Sequence, residues 1–477
     1  MDLGEIIIAI IIIADIVFLI TLLFTEKGNP SKIVAWGVVF LVLPVVGFIA
    51  YLFIGQTFYA KHTFRIKGLE DDQIEKVHNY DSKHVENEPV PEYKGIAQSL
   101  QRLGGFGYTD KNNVQLFTLG EDKFKAFYDD LRAAKKCIHI EYYIIRNDEL
   151  GNELMSILIE KVKEGVDVKL LTDDFGVGKG PKKAIKEYEK VGGQFALFHK
   201  VFTLMFSPKK NNRNHRKLAV IDGEIAYCGG FNIGDEYLGK GPLGFWRDTA
   251  VRITGPGVFP LHVRFQMDWE YASKKPMEEY LLDLYKDANV DQSGDVRLMT
   301  ISGGPDVAEF NPVRMQYLEL INRSTKTLYM HTPYFIPHDT LRDALTLAAA
   351  RGVDVKVIIP DKPDHLFVFW NNISSAYDLM KNGVKFYMYN RGFVHSKSMV
   401  ADGEYCSVGS ANFDDRSLVL NFETNQLILS KEIGKQMDEA FEEDLKYCTE
   451  YTMKDYESLS LISRIRIAIS RLFENLA

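Results

Sequence analysis

The chain repeats itself, and the repeat carries the residues best suited to chemistry. Asn214-His215-Arg-Lys217-Leu-Ala-Val-Ile-Asp222 and Val394-His395-Ser-Lys397-Ser-Met-Val-Ala-Asp402 both read His-x-Lys-x4-Asp. The register holds beyond the motif. Six residues separate Asp222 from Gly229-Gly230-Phe231-Asn232, and six separate Asp402 from Gly409-Ser410-Ala411-Asn412. Asp235 and Asp415 also stand at equal distances from their histidines. One His-x-Lys is a weak signal. Two in a common register, each with its own Gly-x-x-Asn, require two homologous units.

The pattern around the motifs sets the fold class. Residues 137–145 read as a strand, 149–164 as a helix, and 165–172 as a further strand after a glycine stop. The second half repeats this order with a strand at 327–336, a helix at 341–351 and a strand at 352–359. Gly352-Val-Asp-Val-Lys356 even repeats the letters of Gly165-Val-Asp-Val-Lys169. Strands alternating with helices make α/β units with buried strands. The expected division is one domain over 110–290 and a homologous one over 291–450.

The amino-terminal stretch is different in kind. Residues 6–24 are apolar apart from Asp15 and Thr21, and residues 33–54 carry no charge. Each run is long enough to cross a hydrocarbon core of about 30 Å as a helix. The polar, turn-rich residues 25–32 lie between them, so 1–60 reads as a transmembrane helical hairpin, followed by a linker over 61–109. A signal peptide would begin with basic residues, whereas this chain begins with Asp2 and Glu5. Lys61, Arg65 and Lys67 outnumber Lys27 and Lys32 of the hairpin loop. The positive-inside rule then puts the rest of the chain in the cytoplasm, on a plasma membrane crossed more than once. At the other end, over 451–477, Leu461, Ile465, Ile469, Leu472 and Leu476 recur at helical spacing, with Arg464 and Arg471 off the stripe. That is an amphipathic helix suited to an anionic lipid interface, with docking on the protein's own core as the alternative.

Composition narrows the function classes. The net charge is −8 and the pI about 5.8, without the basic excess of a nucleic-acid binder. Cys137, Cys228, Cys406 and Cys448 form no CxxC pair, which speaks against a zinc site or a disulfide framework. No His/Asp/Glu group has metal-ligand spacing, so neither metal nor cofactor is expected. His139, His199, His331, His338 and His365 are read as packing or surface residues.

Two facing half-sites suit phosphodiester chemistry. That reaction needs a nucleophile, a proton for the leaving group, and positive charge or N–H donors around the phosphate oxygens. His215 and His395 supply the first two, and Lys217 and Lys397 supply fixed charge. His-x-Lys puts both side chains on one face of a strand, because the strand period is two. Asn232 and Asn412 are candidate phosphate donors, and the glycines before them let backbone come close. A histidine nucleophile also needs a carboxylate to orient it. Asp248, in Trp246-Arg-Asp248, and Glu423, in Asn421-Phe-Glu423, are the candidates. Asp222 and Asp402 belong to the motif and so to the candidate catalytic set. Their setting, Ile-Asp222-Gly and Ala-Asp402-Gly, is nevertheless a turn position and favours a structural role.

With its duplicated His-x-Lys-x4-Asp the sequence resembles the phospholipase D superfamily, and more narrowly the bacterial cardiolipin synthases. The resemblance spans nearly the whole chain. It includes Leu43-Pro44-Val-Val-Gly47, Tyr51-Leu-Phe-Ile-Gly55, Glu141-Tyr-Tyr143, Gly229-Gly-Phe-Asn-Ile-Gly-Asp-Glu-Tyr237, Thr332-Pro-Tyr-Phe335 and Asp415-Arg-Ser417. It implies two phospholipase D-type domains sharing one active site. It also implies a ping-pong reaction that moves a phosphatidyl group between two phosphatidylglycerol molecules, releases glycerol and passes through a phosphatidyl-histidine. On that reading His215 is the nucleophile and His395 the acid and then the base. A hydrolytic phospholipase D, with water as acceptor, is the alternative. Expected partners are phosphatidylglycerol and anionic membrane lipids, not nucleic acid; the sequence leaves homo-oligomerisation open.

Overall fold

The computed structural model describes residues 89–198, 212–277, 290–305 and 310–471, the helix Pro30–Val42, and a few positions elsewhere. The hairpin expected over 1–60 lies outside the described residues except at that 13-residue helix and isolated positions. So do much of the expected linker, His199, Leu472 and Leu476. Among the described residues no helix is long and apolar enough to cross a membrane.

Among the described residues fifteen strands form one sheet. From its middle outward the first half runs Thr109–Phe117, Ala250–Thr254, Ile225–Gly229, Lys217–Ile221, Cys137–Tyr142, Asp167–Asp173 and Gln194–Phe198. The second half runs Val296–Gly303, Glu423–Leu429, Tyr405–Gly409, Ser398–Ala401, Thr327–His331, Asp354–Pro360 and Lys385–Tyr389, with Cys448–Tyr451 added at the edge. The two orders correspond strand for strand. The halves join where Thr109–Phe117 pairs antiparallel with Val296–Gly303.

The repeated Gly-Val-Asp-Val-Lys has a backbone reason. Gly165 and Gly352 have φ of +90° and +89°, the left-handed conformation that ends a helix and costs glycine nothing sterically. They stop the helices Glu149–Lys163 and Asp339–Ala350, and the strands Asp167–Asp173 and Asp354–Pro360 follow at once. The first of these helices starts where the Asp148 side chain accepts the Gly151 N–H at 3.0 Å.

Apolar residues lie on both faces of the sheet. On one face each half has its own core, around Phe127, Leu154 and Ile221 in the first and Leu320, Leu345 and Val357 in the second. The other face holds a core drawn from both halves. Leu261 and Phe265 of the helix Val258–Ser273 and Met437 and Phe441 of the helix Lys431–Leu445 pack there with Leu218, Val400 and Phe422. That common core fixes the halves against each other, which a site built from both of them requires.

Candidate active site

Strand pairing decides where the motifs end up. In the antiparallel pair of Cys137–Tyr142 with Lys217–Ile221, Tyr142 stands opposite Lys217 and Ile138 opposite Ile221. His215 and Lys217 therefore sit at the carboxyl end of the parallel strands, the usual ligand end of an α/β sheet. The second half repeats the arrangement, with His331 opposite Ser398 and Leu328 opposite Ala401.

The two half-sites are crossed. The Asn214 backbone bridges Phe422, and the His215 N–H donates to the Phe422 carbonyl at 2.9 Å. This lays Glu423 of the second half beside His215 of the first, with its oxygens 2.9 and 3.1 Å from Nδ1. In mirror fashion Gly392–Val394 pairs with Phe245–Arg247, and the His395 N–H donates to the Arg247 carbonyl at 2.7 Å. Asp248 of the first half then meets Nδ1 of His395 at 2.6 Å. An ionised carboxylate only accepts, so in each pair Nδ1 carries the proton and Nε2 keeps its lone pair.

The supports differ between the halves. Ser410 donates to Glu423 at 2.5 Å. Its counterpart is Gly230, where a Cβ would lie 2.0 Å from Asp248 Oδ1, so only glycine leaves room for that carboxylate. The Asn232 N–H donates to the Tyr237 hydroxyl at 3.1 Å, and the Asn412 N–H to Ser417 Oγ at 3.2 Å. The Tyr237 oxygen also lies 3.2 Å from His395 Nδ1. The Asn232 side-chain oxygen accepts the Ile144 N–H at 3.3 Å, which leaves its NH2 group as a donor.

Burial sets the protonation states. It lowers His215 to about 4, against the pull of Glu423, and lowers His395 well below its ordinary value, helped by Lys397 and Lys217. Both imidazoles are thus neutral near pH 7. Burial also lowers Lys217 to about 7 and Lys397 to about 8, while nearby Glu423 and Asp248 oppose the shift. Each lysine ammonium donates to the carbonyl of its own histidine. Burial raises Asp248 to about 6; Glu423, although buried, is held below its ordinary value by His215 and Lys217. The centre therefore pairs two polarised cations with two neutral imidazoles, a setting that gains from an arriving anion.

Asp222 and Asp402 do not join this centre, which corrects their inclusion in the catalytic set. They lie at the far ends of their strands, roughly 20 Å of extended chain from the histidines. Their φ values are +55° and +54°. Asp222 accepts the N–H groups of Lys135, Lys136 and Cys137 at 2.7–3.1 Å. Asp402 accepts those of Thr325, Lys326 and Thr327 at 2.7–2.9 Å. Both tie a turn to the start of a neighbouring strand. Asp402→Ala is expected to cost about 1.5–3 kcal/mol for the lost charged acceptor and about 1 more for left-handed alanine. The check is a denaturant midpoint measured beside kcat: the midpoint falls, and kcat per folded molecule stays within about two-fold.

Several supporting residues gave little sign in the sequence. Arg216 makes two bonds to Asp268, at 2.8 and 2.6 Å, and Arg247 bonds Asp444 at 2.7 Å. Each arginine adjoins a site residue, His215 or Asp248, and each aspartate lies on a helix of the common core. For Asp268 the available signal is a charged residue within the largely apolar helix Val258–Ser273; Asp444, among the many charges of Lys431–Leu445, gives none. Of the other histidines, His331 bonds Asp444 at 3.1 Å, and His139 bonds His262 at 2.6 Å. Among the described residues one group could hold a metal, Cys137, His139 and His262. Cys137 and His139 belong to the strand end beside Asp222, away from the catalytic centre.

Comparison with known proteins follows the same lines. A family model described as cardiolipin synthase, PLD-like domain, matches residues 127–256 and 317–445. One described as phospholipase D-nuclease N-terminal matches residues 7–56. The cardiolipin synthase of Staphylococcus aureus (strain Mu50 / ATCC 700699) is 39% identical over 469 residues, covering 96% of this chain and 94% of its own. That of Clostridium perfringens (strain 13 / Type A) is 39% identical over 454 residues, 94% of each chain. The major cardiolipin synthase of Bacillus subtilis (strain 168) is 37% identical over 480 residues, 99% of each. Among solved structures, a phosphatidylserine synthase from Haemophilus influenzae Rd KW20 superposes with a TM-score of 0.62 at 16% identity, over 81% of this chain and 100% of that one. That likeness concerns the fold alone.

Proposed function

The chain belongs to the cardiolipin synthases of the phospholipase D superfamily, and from that premise we propose how its two half-sites divide the work. The reaction joins two phosphatidylglycerol molecules into cardiolipin and releases one glycerol. The observation that carries the proposal is the crossed pairing, His215 with Glu423 and His395 with Asp248. It supports one site with two oriented imidazoles rather than two separate sites.

In the first step His215 Nε2 attacks the phosphorus of one phosphatidylglycerol. The bond to the headgroup glycerol breaks, and His395 gives the departing oxygen its proton. In the second step His395 takes the proton from a hydroxyl of a second phosphatidylglycerol, whose oxygen displaces His215 and forms cardiolipin. Lys217, Lys397, Asn232 and Asn412 hold the phosphate oxygens, while Glu423 and Asp248 fix the ring orientations. Both histidines are neutral without substrate, so His395 takes its working proton from water as the anion binds, whose charge favours imidazolium, and gives it back when product leaves. Water as acceptor would give phosphatidic acid through the same intermediate; the relatives' names favour a lipid acceptor.

Residues 1–60 fit a membrane hairpin, supported by their two apolar runs and by the amino-terminal family match over 7–56. The division at 110–290 and 291–450 is supported by the corresponding strand orders. Catalytic halves on the cytoplasmic side follow from the positive-inside rule.

The test is turnover in detergent–lipid micelles with phosphatidylglycerol as sole lipid substrate and mass-spectrometric product analysis. Cardiolipin with one glycerol each supports the synthase; phosphatidic acid with glycerol would make the enzyme a hydrolase. The pH profile adds a second check. Free-enzyme kcat/KM should fall as pH rises through about 7–8, where Lys217 and Lys397 lose charge, and as pH falls toward about 4, where His215 gains a proton. Bound phosphate stabilises the ammonium forms, so the alkaline limb of kcat should lie at higher pH than that of kcat/KM.

A further inference from the structure

Exposed apolar side chains lie near the catalytic centre in both halves. In the first half Asp173 accepts the N–H of Asn214, next to His215, at 3.1 Å. Two residues on, Phe175 is 66% exposed, with the Arg213 guanidinium 5.5 Å from its ring centre. In the second half the segment after the corresponding strand, Asp354–Pro360, carries Asp364, which acts electrostatically on Lys397 and accepts the Tyr334 hydroxyl. Leu366 and Phe367 follow after His365 and are 66% and 56% exposed. Both halves thus leave large apolar groups in water just beyond the same strand end.

The carboxyl-terminal helix extends the second of these patches. Leu461–Arg471 lies along the helix Leu366–Met380, burying Ile467 and Ser470. The Arg466 guanidinium stands 5.8 Å from the Trp370 ring centre, and Arg471 bonds Ser374 at 2.5 Å and Asp378 at 3.2 Å. These contacts make the two helices run in the same direction, so the Leu461 end lies beside Leu366 and Phe367. Leu461, Ile462, Ile465 and Ile469 face outward, at 74, 64, 50 and 45% exposure. This helix has three arginines and no acidic residue.

We infer that these patches and the outer face of Leu461–Arg471 form a docking surface for an anionic phospholipid leaflet, one that turns the catalytic centre toward the headgroup layer. The inference rests on the phospholipid substrate proposed above. Apolar side chains beside cationic ones suit the boundary between acyl chains and anionic headgroups. The placement has a consequence for catalysis: donor and acceptor lipids reach the histidines by a short outward movement, without leaving the leaflet.

The full chain is reconstituted in vesicles of phosphatidylglycerol and phosphatidylcholine, with nitroxide labels on Phe367→Cys, Ile465→Cys or, as control, Lys435→Cys on the exposed part of another helix. The labels at 367 and 465 should be reached by oxygen and shielded from a water-soluble nickel chelate, while the label at 435 stays open to the chelate. In parallel, Ile462→Ser/Ile465→Ser/Ile469→Ser should lower turnover of vesicle phosphatidylglycerol by at least about ten-fold and leave turnover of monomeric short-chain phosphatidylglycerol within about two-fold. Chelate access at 367 and 465 equal to that at 435 overturns the docking surface. Strong dipolar broadening between labels of two copies also overturns it, because the face then belongs to a homo-oligomer. Wild type inactive on both lipids would sink the reaction instead, leaving the label positions to decide docking alone.

Discussion

Replacing either His215 or His395 with alanine is expected to lower cardiolipin synthesis by about 10⁴-fold or more, and the double replacement to be hardly worse than either single one. The two rings share one proton path, so removing either breaks it. Neither has a substitute: each Nδ1 is held by a buried carboxylate, and the nearby lysines are tied to backbone carbonyls. A donor with an acidic leaving group separates the roles. Phosphatidyl-p-nitrophenol needs little protonation as its bond breaks. His395→Ala should therefore still release one equivalent of nitrophenol in a burst and then stall, while His215→Ala releases none. A burst from His215→Ala and none from His395→Ala would exchange the two assignments.

Glu423→Gln and Asp248→Asn should each cost about 10²–10⁴-fold in kcat, because an amide no longer fixes the tautomer or offsets the imidazolium that forms. The crossed arrangement makes a sharper prediction than the loss of rate. In protein labelled with ¹⁵N-histidine, Glu423→Gln should move the ring signals of His215 and leave those of His395 near their original positions. Asp248→Asn should do the reverse. An uncrossed site would give the opposite result, since Asp248 lies in the sequence half of His215 and Glu423 in that of His395. Ser410 adds a gradation. Its hydroxyl steadies Glu423, so Ser410→Ala should lower kcat by a smaller factor of about ten.

Much of this centre was legible because the motif is repeated in register. The strand-face reading of His-x-Lys is not what places the pair: His215 lies just before the strand Lys217–Ile221, and His395 and Lys397 lie just before Ser398–Ala401. The turn reading of Asp222 and Asp402 came from the glycine after each, and the left-handed φ at both positions is its structural counterpart. The crossing was not legible. Distances of 33 residues from His215 to Asp248 and 28 from His395 to Glu423 suggest pairing within each half. What decides otherwise is the pairing of Gly392–Val394 with Phe245–Arg247 and the bridge from Asn214 to Phe422, both contacts between the halves. The bonds from Arg216 to Asp268 and from Arg247 to Asp444 depend on the same long-range packing. The carboxyl-terminal helix is intermediate. Its periodicity identified the stripe of Leu461, Ile465 and Ile469, but the helix docks through Ile467 and Ser470 and leaves that stripe in the open.

The most direct test of the account is a rapid-quench experiment with phosphatidylglycerol at enzyme concentrations comparable to substrate. The quench is made under alkaline conditions that preserve phosphoramidates, and peptides are read by mass spectrometry. A covalent phosphatidyl group on His215, with an equal amount of glycerol released before any cardiolipin forms, is the predicted result. Glycerol appearing only in step with cardiolipin, with neither His215 nor His395 modified, would contradict the shared two-histidine site.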